Sequence, residues 1–428
     1  MATTTEQATA ALEAVNAMPA PTWHRLDVND DVIAIAVPPA PSHAVAAELE
    51  GAATFGSHDA FDAAVASFQS TLDARRPAGD DPRAVVRAAH EEAEAGDLDV
   101  PALSAYQKKA VLEEVAGDVA TAFETGMGAQ AHVYLSRLAG ERTVITAPAH
   151  ETGAARIRLD GEPGYARAAA IDLVAEEGAT LSLTIVYDTP SAGAGLIGST
   201  LRVFAGASSH VNVTTIQIAD DAWTVLDDEG LILGDGARVS VTHTVLGSGR
   251  SYTGLAADVR GDEAHIETAT RYLGCNDEER SFNYSVKQRG RATDSSLDAN
   301  GVLADRAKKT LRGTIDFVYG CKGSTGNERE TVLLADDGVV NKTVPVILCD
   351  DDDVMGNHGA TIGHVRPEQR FYLNCRGLSD DAAEKLFLVA TLEAAYLANG
   401  DARIRAGIAR LAAQRGIDAS AFADDDER

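Results

Sequence analysis

Apolar residues follow two different patterns along the chain. Up to about residue 138 they recur at three- and four-residue spacing, which is typical of amphipathic helices. Examples are "EQATAALEAVNAM", "HDAFDAAVASFQSTLDARR" and "YQKKAVLEEVAGDVATAFETGMGAQAHVYLSRLAG", and proline-rich breaks such as "VPPAPS" separate them. After that point short alternating runs of Val, Ile, Leu and Thr are punctuated by Gly, Asp and Ser, as in strands. The sequence therefore predicts an N-terminal helical region over 1–138 and a β core over 139–376.

A phrase of about five residues recurs in the β region. It consists of a small residue, a polar residue and then alternating apolar positions, at steps of 30, 28, 27 and 28 residues. A fixed period of this size indicates a repeat architecture, and a propeller blade would need ~40 to 45 residues. A period of ~28 residues with strands and no helix predicts a right-handed parallel β-helix, whose coils stack about 4.8 Å apart. The phrase begins at Ala179, Ser209, Ala237, Ala264 and Ala292.

Helical spacing returns after the β core. Ser379 is a good N-cap for "SDDAAEKLFLVATLEAAYLANG", and Asp401 is a good N-cap for "DARIRAGIARLAAQRG". We therefore expect a C-terminal helical region over 377–428, and a mainly β protein with helices at both ends. The second helix carries four arginines, which form either a solvated face or a docking surface: Arg403, Arg405, Arg410 and Arg415.

Composition excludes several classes of protein. The formal net charge is −28, from 37 basic and 65 acidic residues spread along the chain. Dispersed acid favours a surface that stays hydrated in a salt-rich cytoplasm, and an acidic face for a basic partner is the alternative. Nucleic-acid binding is not expected, because no basic stripe is present to neutralise phosphates. No signal peptide or membrane-spanning apolar run is visible, so we expect a cytoplasmic protein with no membrane partner.

The four cysteines are Cys275, Cys321, Cys349 and Cys375, and they contain no CxxC pair. This spacing is neither a disulfide framework nor a zinc signature. Cys321, Cys349 and Cys375 are 28 and 26 residues apart, which is close to one period. Residues one coil apart lie above one another, so a column of these thiols is one interpretation. The alternative is a ladder of small buried side chains, because free cysteine is usually buried.

The stretch "GNHGATIGHVRPEQRFYLNCRGLS" places His358 and His364 near the end of the β core. On one extended strand they would face the same way but lie ~20 Å apart, too far to share an ion. The chain lacks a nucleophile elbow, a phosphate-binding loop with lysine and an HExxH motif, so an enzyme is not expected. "QRFYLNCRG" is predicted to be the last strand, so an unsealed rim near 356–375 must be capped or paired with a partner.

Two stretches carry a family resemblance. "NHGATIGHVRPEQRFYLNCRGLSDDAAEKLFL" and "ETVLLADDGVVNKTVPVIL" resemble the C-terminal signature of the SufB/SufD family of iron–sulfur cluster assembly scaffolds. The resemblance is specific over 312–397 and closer to SufD. Gly359 stands where SufB has a glutamate, and Val339 and Val340 stand in the region of a SufB cysteine. A chain lacking both groups is not expected to build a cluster alone.

The resemblance implies a non-catalytic subunit of a heterocomplex. A SufB-like paralogue would pair with the C-terminal end of the β-helix, and a SufC-like ABC ATPase would dock on the C-terminal helices. His358 becomes the candidate ligand for a transient iron–sulfur cluster shared with the partner, with no cofactor bound tightly by the isolated chain. Cys375 stands where the family usually has serine, so it is either an added thiol or a local substitution. The implied partner-binding residues are Phe371, Tyr372, Leu373, Arg376, Gly377, Leu386, Phe387, Arg403 and Arg405.

Two other functions fit a β-helix. A homodimeric scaffold could act without SufB by pairing the same edge strand of two copies. A polysaccharide-acting enzyme would require a secretion signal and a lateral cleft with clustered carboxylates, and the sequence shows neither.

Overall fold

The computed structural model describes residues 10–21, 26–40, 45–75, 123–189, 193–418 and 422. Near the N-terminus, β1 (Ala10–Val15) pairs antiparallel with β2 (Asp31–Ile35). The helix predicted over "EQATAALEAVNAM" is therefore wrong in its described part. Leu12 and Val15 are buried with Ile33 and Ile35 of β2, and this tertiary contact overrides the helical spacing of an alanine-rich stretch.

The helical spacing is confirmed at two other places. Helix α1 (Ala60–Arg75) occupies the second predicted segment and α2 (Ala129–Ala139) the end of the third. The remainder of the third segment, up to residue 122, lies outside the described residues. Both helices pack on the outer face of the β core, where Phe61 of α1 and Leu135 of α2 are buried against its strands.

Among the described residues two nine-stranded sheets form the core, and from β5 onward successive strands alternate between them. Sheet 1 contains β3 (Ala47–Gly51), β6 (Thr152–Asp160), β8 (Thr180–Asp188), β10 (His210–Ile218), β12 (Arg238–Val245), β14 (His265–Gly274), β16 (Asp294–Leu303), β18 (Ser324–Leu334) and β20 (Val354–His364). Sheet 2 contains β4 (Thr54–Phe55), β5 (Arg142–Ala147), β7 (Ala166–Ala175), β9 (Gly195–Ala205), β11 (Trp223–Leu233), β13 (Arg250–Val259), β15 (Glu279–Gln288), β17 (Lys308–Phe317) and β19 (Val340–Cys349).

The predicted β-solenoid is confirmed, with two strands in each coil. All pairs from β5 to β20 are parallel, and each strand pairs with the strand two positions along the chain. Thr180, His210, Arg238 and His265 occupy equivalent positions in successive coils. The apolar column between the sheets is built from Val, Ile, Leu and Ala with few aromatic residues. In this column equivalent side chains of successive coils stack above one another.

One corner of the solenoid repeats a left-handed turn. Its residues are Gly178, Ser208, Gly236, Glu263 and Ala292, with φ between 52° and 65°. Each backbone N–H donates to a carbonyl oxygen of the next coil at 2.7–2.8 Å. The ladder offsets the cost of about 1–2 kcal/mol that a non-glycine residue incurs in this conformation. Ala292 therefore lies in the turn. Asp294 pairs with His265, so the phrase predicted to begin at Ala292 is placed one residue too early in this coil.

Three helices follow the solenoid: α3 (Pro367–Cys375), α4 (Asp380–Ala398) and α5 (Ala402–Gln414). The last strand predicted over "QRFYLNCRG" is wrong, because this stretch forms α3. Pro367 at the first turn has a preset φ, and Gln369 caps the helix by accepting from the Arg366 N–H at 3.1 Å. The predicted N-caps are confirmed, since Ser379 accepts from a backbone N–H at 3.2 Å and Asp401 from two at 2.8 and 3.3 Å.

Helices α4 and α5 cover the outer side of sheet 1. Leu392, Ile408 and Leu411 are fully buried there against Ile218 and Leu246 of the solenoid. The two helices thus lie along the flank of the stacked coils, and β20 remains the last strand of its sheet.

Candidate functional site

The last coil of the solenoid ends in two edge strands, which we call the open rim (β19 and β20). In the described ranges β19 pairs only with β17, and β20 pairs only with β18. Met355 and Ile362 of β20 are 61% and 47% exposed, and Val340 of β19 is 41% exposed. Unpaired backbone groups on such edges are free to bond another chain. The unsealed rim that the sequence predicts is present, although its last strand is β20.

His358 lies in the middle of β20, one coil above Glu328 of β18. Strand alternation places His358 and Ala360 on the face that carries the buried side chains of Glu328 and Glu330 below. This face continues the interior column, yet His358 is exposed because no described segment covers it. His364 lies on the same face of β20 six residues away, so the two histidines are too far apart to share an ion.

A cluster of charged side chains lies one coil below the rim. Glu330 is fully paired, because it accepts from Lys309 Nζ, from Thr343 Oγ1 at 2.5 Å and from the Tyr272 hydroxyl at 3.2 Å. Glu328 is 6% exposed, and its Oε2 atom is buried without a hydrogen-bond partner in the described part of the chain. Unlike its paired neighbour, Glu328 has a free acceptor directly beneath His358.

Two groups of this cluster titrate near neutral pH. Burial and the nearby Glu330 raise the pKa of Glu328 to about 7, and Lys309 opposes this shift only in part. Burial lowers the pKa of Lys309 to about 8 despite its contact with Glu330. Sequence reasoning missed these residues, although the alternating "NERE" in β18 is a signal that two glutamates share one face.

The interpretation of three thiols in one column is wrong. Cys349 pairs with Phe317 and not with Cys321, and Cys375 lies on helix α3. Cys275 and Cys321 are buried, as the alternative of small buried side chains expects, whereas Cys349 and Cys375 are exposed. Burial raises the pKa of the Cys275 thiol to about 11 and that of Cys321 to about 12, so both remain protonated.

Helix α3 presents an apolar surface beyond the rim. Phe371 is 70% exposed and Tyr372 is 57% exposed, and the Arg376 guanidinium lies 5.2 Å from the Tyr372 ring centroid. Leu373 is half-buried and Gly377 is exposed. Large exposed apolar side chains that adjoin one another are typical of interaction surfaces.

The residues predicted for docking on α4 and α5 differ in their surroundings. Leu386 is 41% exposed, whereas Phe387 packs against the buried cluster beneath the helices. Arg403 donates to Asp160 at 3.2 Å. Arg405 donates to the Asn399 carbonyl at 2.6 Å and lies over the Tyr396 ring.

Arg410 of α5 and Arg415 at its C-cap form neither a solvated face nor a docking surface. Arg410 bonds Asp188 and Asp220 at 2.9 Å, and Arg415 bonds Glu278 at 2.5 Å. Both interpretations are wrong for them, since these side chains fasten the helix to acidic residues of the solenoid. Sequence spacing alone does not predict such pairs, because the acids come from distant coils.

Comparisons with known proteins point to one family. Residues 159–391, more than half of the chain, match the family model described as SUF system FeS cluster assembly, SufBD core domain. The "Iron-sulfur cluster assembly protein SufD" of Bacillus subtilis is 22% identical over 192 residues, 45% of this chain and 44% of that protein. A SufBD family protein of Staphylococcus saprophyticus is 23% identical over 227 residues, 52% of this chain and 48% of its own length.

A chloroplastic SufBD family protein of Arabidopsis thaliana, ABCI8, is 21% identical over 220 residues, which is 49% of this chain and 40% of that protein. The chain thus spans less than half the length of these three relatives. None of the helices in the described residues is both long and apolar enough to cross a bilayer. Because the matched range runs from β6 through the open rim into α4, the chain belongs to the SufBD family of the SUF iron–sulfur cluster assembly system.

Proposed function

We propose that the chain is a non-enzymatic, cytoplasmic scaffold subunit that pairs with a SufB-like subunit through the open rim. The two subunits would share a transient iron–sulfur cluster at their junction, as cargo for delivery elsewhere. The observation that carries the proposal is the rim itself, where β19 and β20 each have one unpaired edge and His358 of β20 lies on the face that continues the interior column. A partner's strands could extend both sheets by backbone hydrogen bonds alone.

His358 would supply one ligand of the shared cluster. A neutral imidazole is a suitable iron ligand beside thiolate or carboxylate groups from the partner. We expect His358→Ala to lower the iron and sulfide bound by the complex after coexpression with a SufB-like chain and the ATPase. The matched control is His364→Ala, an exposed histidine on the same strand. A full cluster yield from His358→Ala would exclude the ligand role.

Cys375 is a candidate for a second ligand. It is exposed on α3, and serine is the residue that the family usually has at this position. A Cys375→Ser variant that retains the full cluster yield indicates a local substitution, whereas a variant that loses cluster indicates that the thiol is a ligand.

Pairing through the rim can be tested without changing a ligand. Ile362 is 47% exposed on β20, so Ile362→Lys leaves the isolated fold intact but places an ammonium group where the next coil of a partner would pack. We expect this variant to lose copurification with the SufB-like subunit. Val133→Lys, at a 44% exposed position on α2, is the control. Equal recovery of the partner by both variants would contradict pairing at the rim.

The ABC ATPase would dock on the C-terminal helices, and its ATP-driven closure would shift them and open the junction. Leu386 on α4 is exposed while its neighbours Phe387 and Leu388 pack inward. We expect Leu386→Asp to release the ATPase from the complex while the SufB-like subunit remains bound. Val32→Asp, at a 64% exposed position of the N-terminal hairpin, serves as control. ATPase retention by Leu386→Asp would refute this docking site.

A homodimer is the second candidate, because the same unpaired edges are available to another copy of the chain. Light scattering of the isolated chain distinguishes the two states. A dimer that Ile362→Lys converts to a monomer supports edge pairing between copies, and a monomer at all concentrations excludes it.

A further inference from the structure

Three side chains of metal-ligand type converge inside the middle coils, far from the rim. They are Asp227 and Glu229 of β11 and His243 of β12, all with 0% exposure. One ligand atom from each lies within 4.8 Å of the other two. Strand β12 is four coils from β20, which corresponds to about 19 Å along the solenoid. This cluster is therefore separate from the proposed junction.

Strand alternation explains why the three groups meet. Asp227 and Glu229 are two residues apart on β11, so both point into the interior. His243 follows the buried Val239 and Val241 on the same face of β12. The two strands belong to opposite sheets, and their side chains cross the interior, where His243 Nε2 lies 3.2 Å from Glu229 Oε2.

Outer hydrogen bonds orient these groups. His243 Nδ1 lies 3.2 Å from the Tyr284 hydroxyl, and the two rings stack at 5.4 Å. The Tyr187 hydroxyl donates to Asp227 Oδ1 at 2.8 Å, and Gln217 donates to Asp227 Oδ2 at 3.3 Å. Such partners fix the ring and carboxylate orientation around a bound metal, leaving Nε2 of the histidine directed at the ion.

Glu229 gives independent evidence that the cluster binds a cation. Its Oε1 atom is buried and has no hydrogen-bond partner among the described residues. Burying two carboxylates beside one imidazole is costly unless positive charge compensates them. Among the described residues no lysine or arginine forms an ion pair with Asp227 or Glu229, and the one such contact joins Glu229 to His243. A cation would supply both the charge and the contact that Oε1 lacks.

We propose that Asp227, Glu229 and His243 bind one divalent transition-metal ion of the Zn²⁺, Mn²⁺ or Fe²⁺ class inside the solenoid. One imidazole nitrogen with two carboxylates is a donor set for these ions, and not for Cu(I), which selects thiolates. Ligands at about 2.2 Å from an ion lie about 3.6 Å apart in tetrahedral geometry, so side-chain adjustments of up to about 1 Å close the site. The ion would join β11 to β12 and thus fasten the two sheets together.

Entry of the ion would accompany folding, because the site is enclosed. The full chain is unfolded in denaturant with EDTA and refolded with Zn²⁺, Mn²⁺ or Co²⁺, then dialysed against EDTA and analysed for bound metal. We expect about one retained ion per chain. Parent protein that refolds without retaining any of the three ions overturns the proposal.

Variants locate the ion. We expect Glu229→Gln to lose it and His358→Ala, at the rim, to keep it. Folded Glu229→Gln that retains a full equivalent overturns the proposal, and so does its loss from His358→Ala. The Co²⁺ absorption spectrum of the parent gives a reading that does not require the variant to fold. Ligand-field bands without thiolate charge transfer are expected, and a thiolate band would assign the ion to a cysteine and refute the site.

Discussion

Glu328 allows a quantitative test of the cluster beneath the rim. Its pKa is raised from the usual 4.5 to about 7, so the folded protein holds a proton that the unfolded chain releases. Stability from this group is full below the unfolded pKa and is lost as pH rises from about 4.5 to about 7. The difference corresponds to about 3 kcal/mol. Glutamine resembles the protonated acid, so we expect Glu328→Gln to match the parent at about pH 4 and to be about 3 kcal/mol more stable at about pH 8.

The assay is urea unfolding followed by circular dichroism at both pH values, in molar KCl. Glu267→Gln, at an exposed glutamate on β14, is the matched control and is expected to change stability by less than ~0.5 kcal/mol at either pH. Hydrogen exchange of β18 peptides reports the same difference locally, because solenoid ends can open before the middle coils. A stability difference between Glu328→Gln and parent that stays constant with pH would show that burial does not shift this carboxyl.

Three further changes test the charge, the helix packing and the coil corner. The net charge of −28 predicts a melting temperature that rises between about 0.1 M and about 1 M KCl, because the Debye length falls from about 10 Å to about 3 Å. Sucrose is the control for osmotic effects, and a melting temperature that does not change with KCl would contradict the reasoning. Ile408→Ala removes a fully buried side chain under α5 and should cost about 2–5 kcal/mol in urea unfolding, whereas Leu397→Ala, at a 44% exposed position, should cost far less. Gly290→Ala places a Cβ 1.9 Å from the Gly261 carbonyl oxygen, so we expect a loss above about 2 kcal/mol. Gly400→Ala, with open space around it, is the control, and equal stability of the two glycine variants would refute the close approach.

The coil period could be predicted because parallel stacking repeats one chemical environment at every coil. Alternating apolar positions near Ala179 and Ala237 therefore indicate strands that lie above one another. The last strand could not be placed by the same signal. Phe371 and Tyr372 have the side chains of a strand, but Pro367 and Gln369 form a helix start that outweighs them.

The charged interior was harder to predict from the sequence. An alternating pattern indicates which residues share a face, and apolar residues normally identify the buried one. In β18, Glu328 and Glu330 point inward while Asn327 and Arg329 point outward, so both faces read as polar. In β11, Asp227, Asp228 and Glu229 are all buried, because helices cover the outer face as well. Only the contacts between distant coils reveal such positions.

The left-handed corner turns divide the length of the solenoid into whole coils. Every coil between His150 and Gly323 turns through the same hydrogen-bonded frame, so a coil could be gained or lost as a unit without rebuilding its neighbours. Such an event would move the two extremities apart or together by about 4.8 Å, and intermediate spacings would be inaccessible. The length of this solenoid can therefore change only in whole coils.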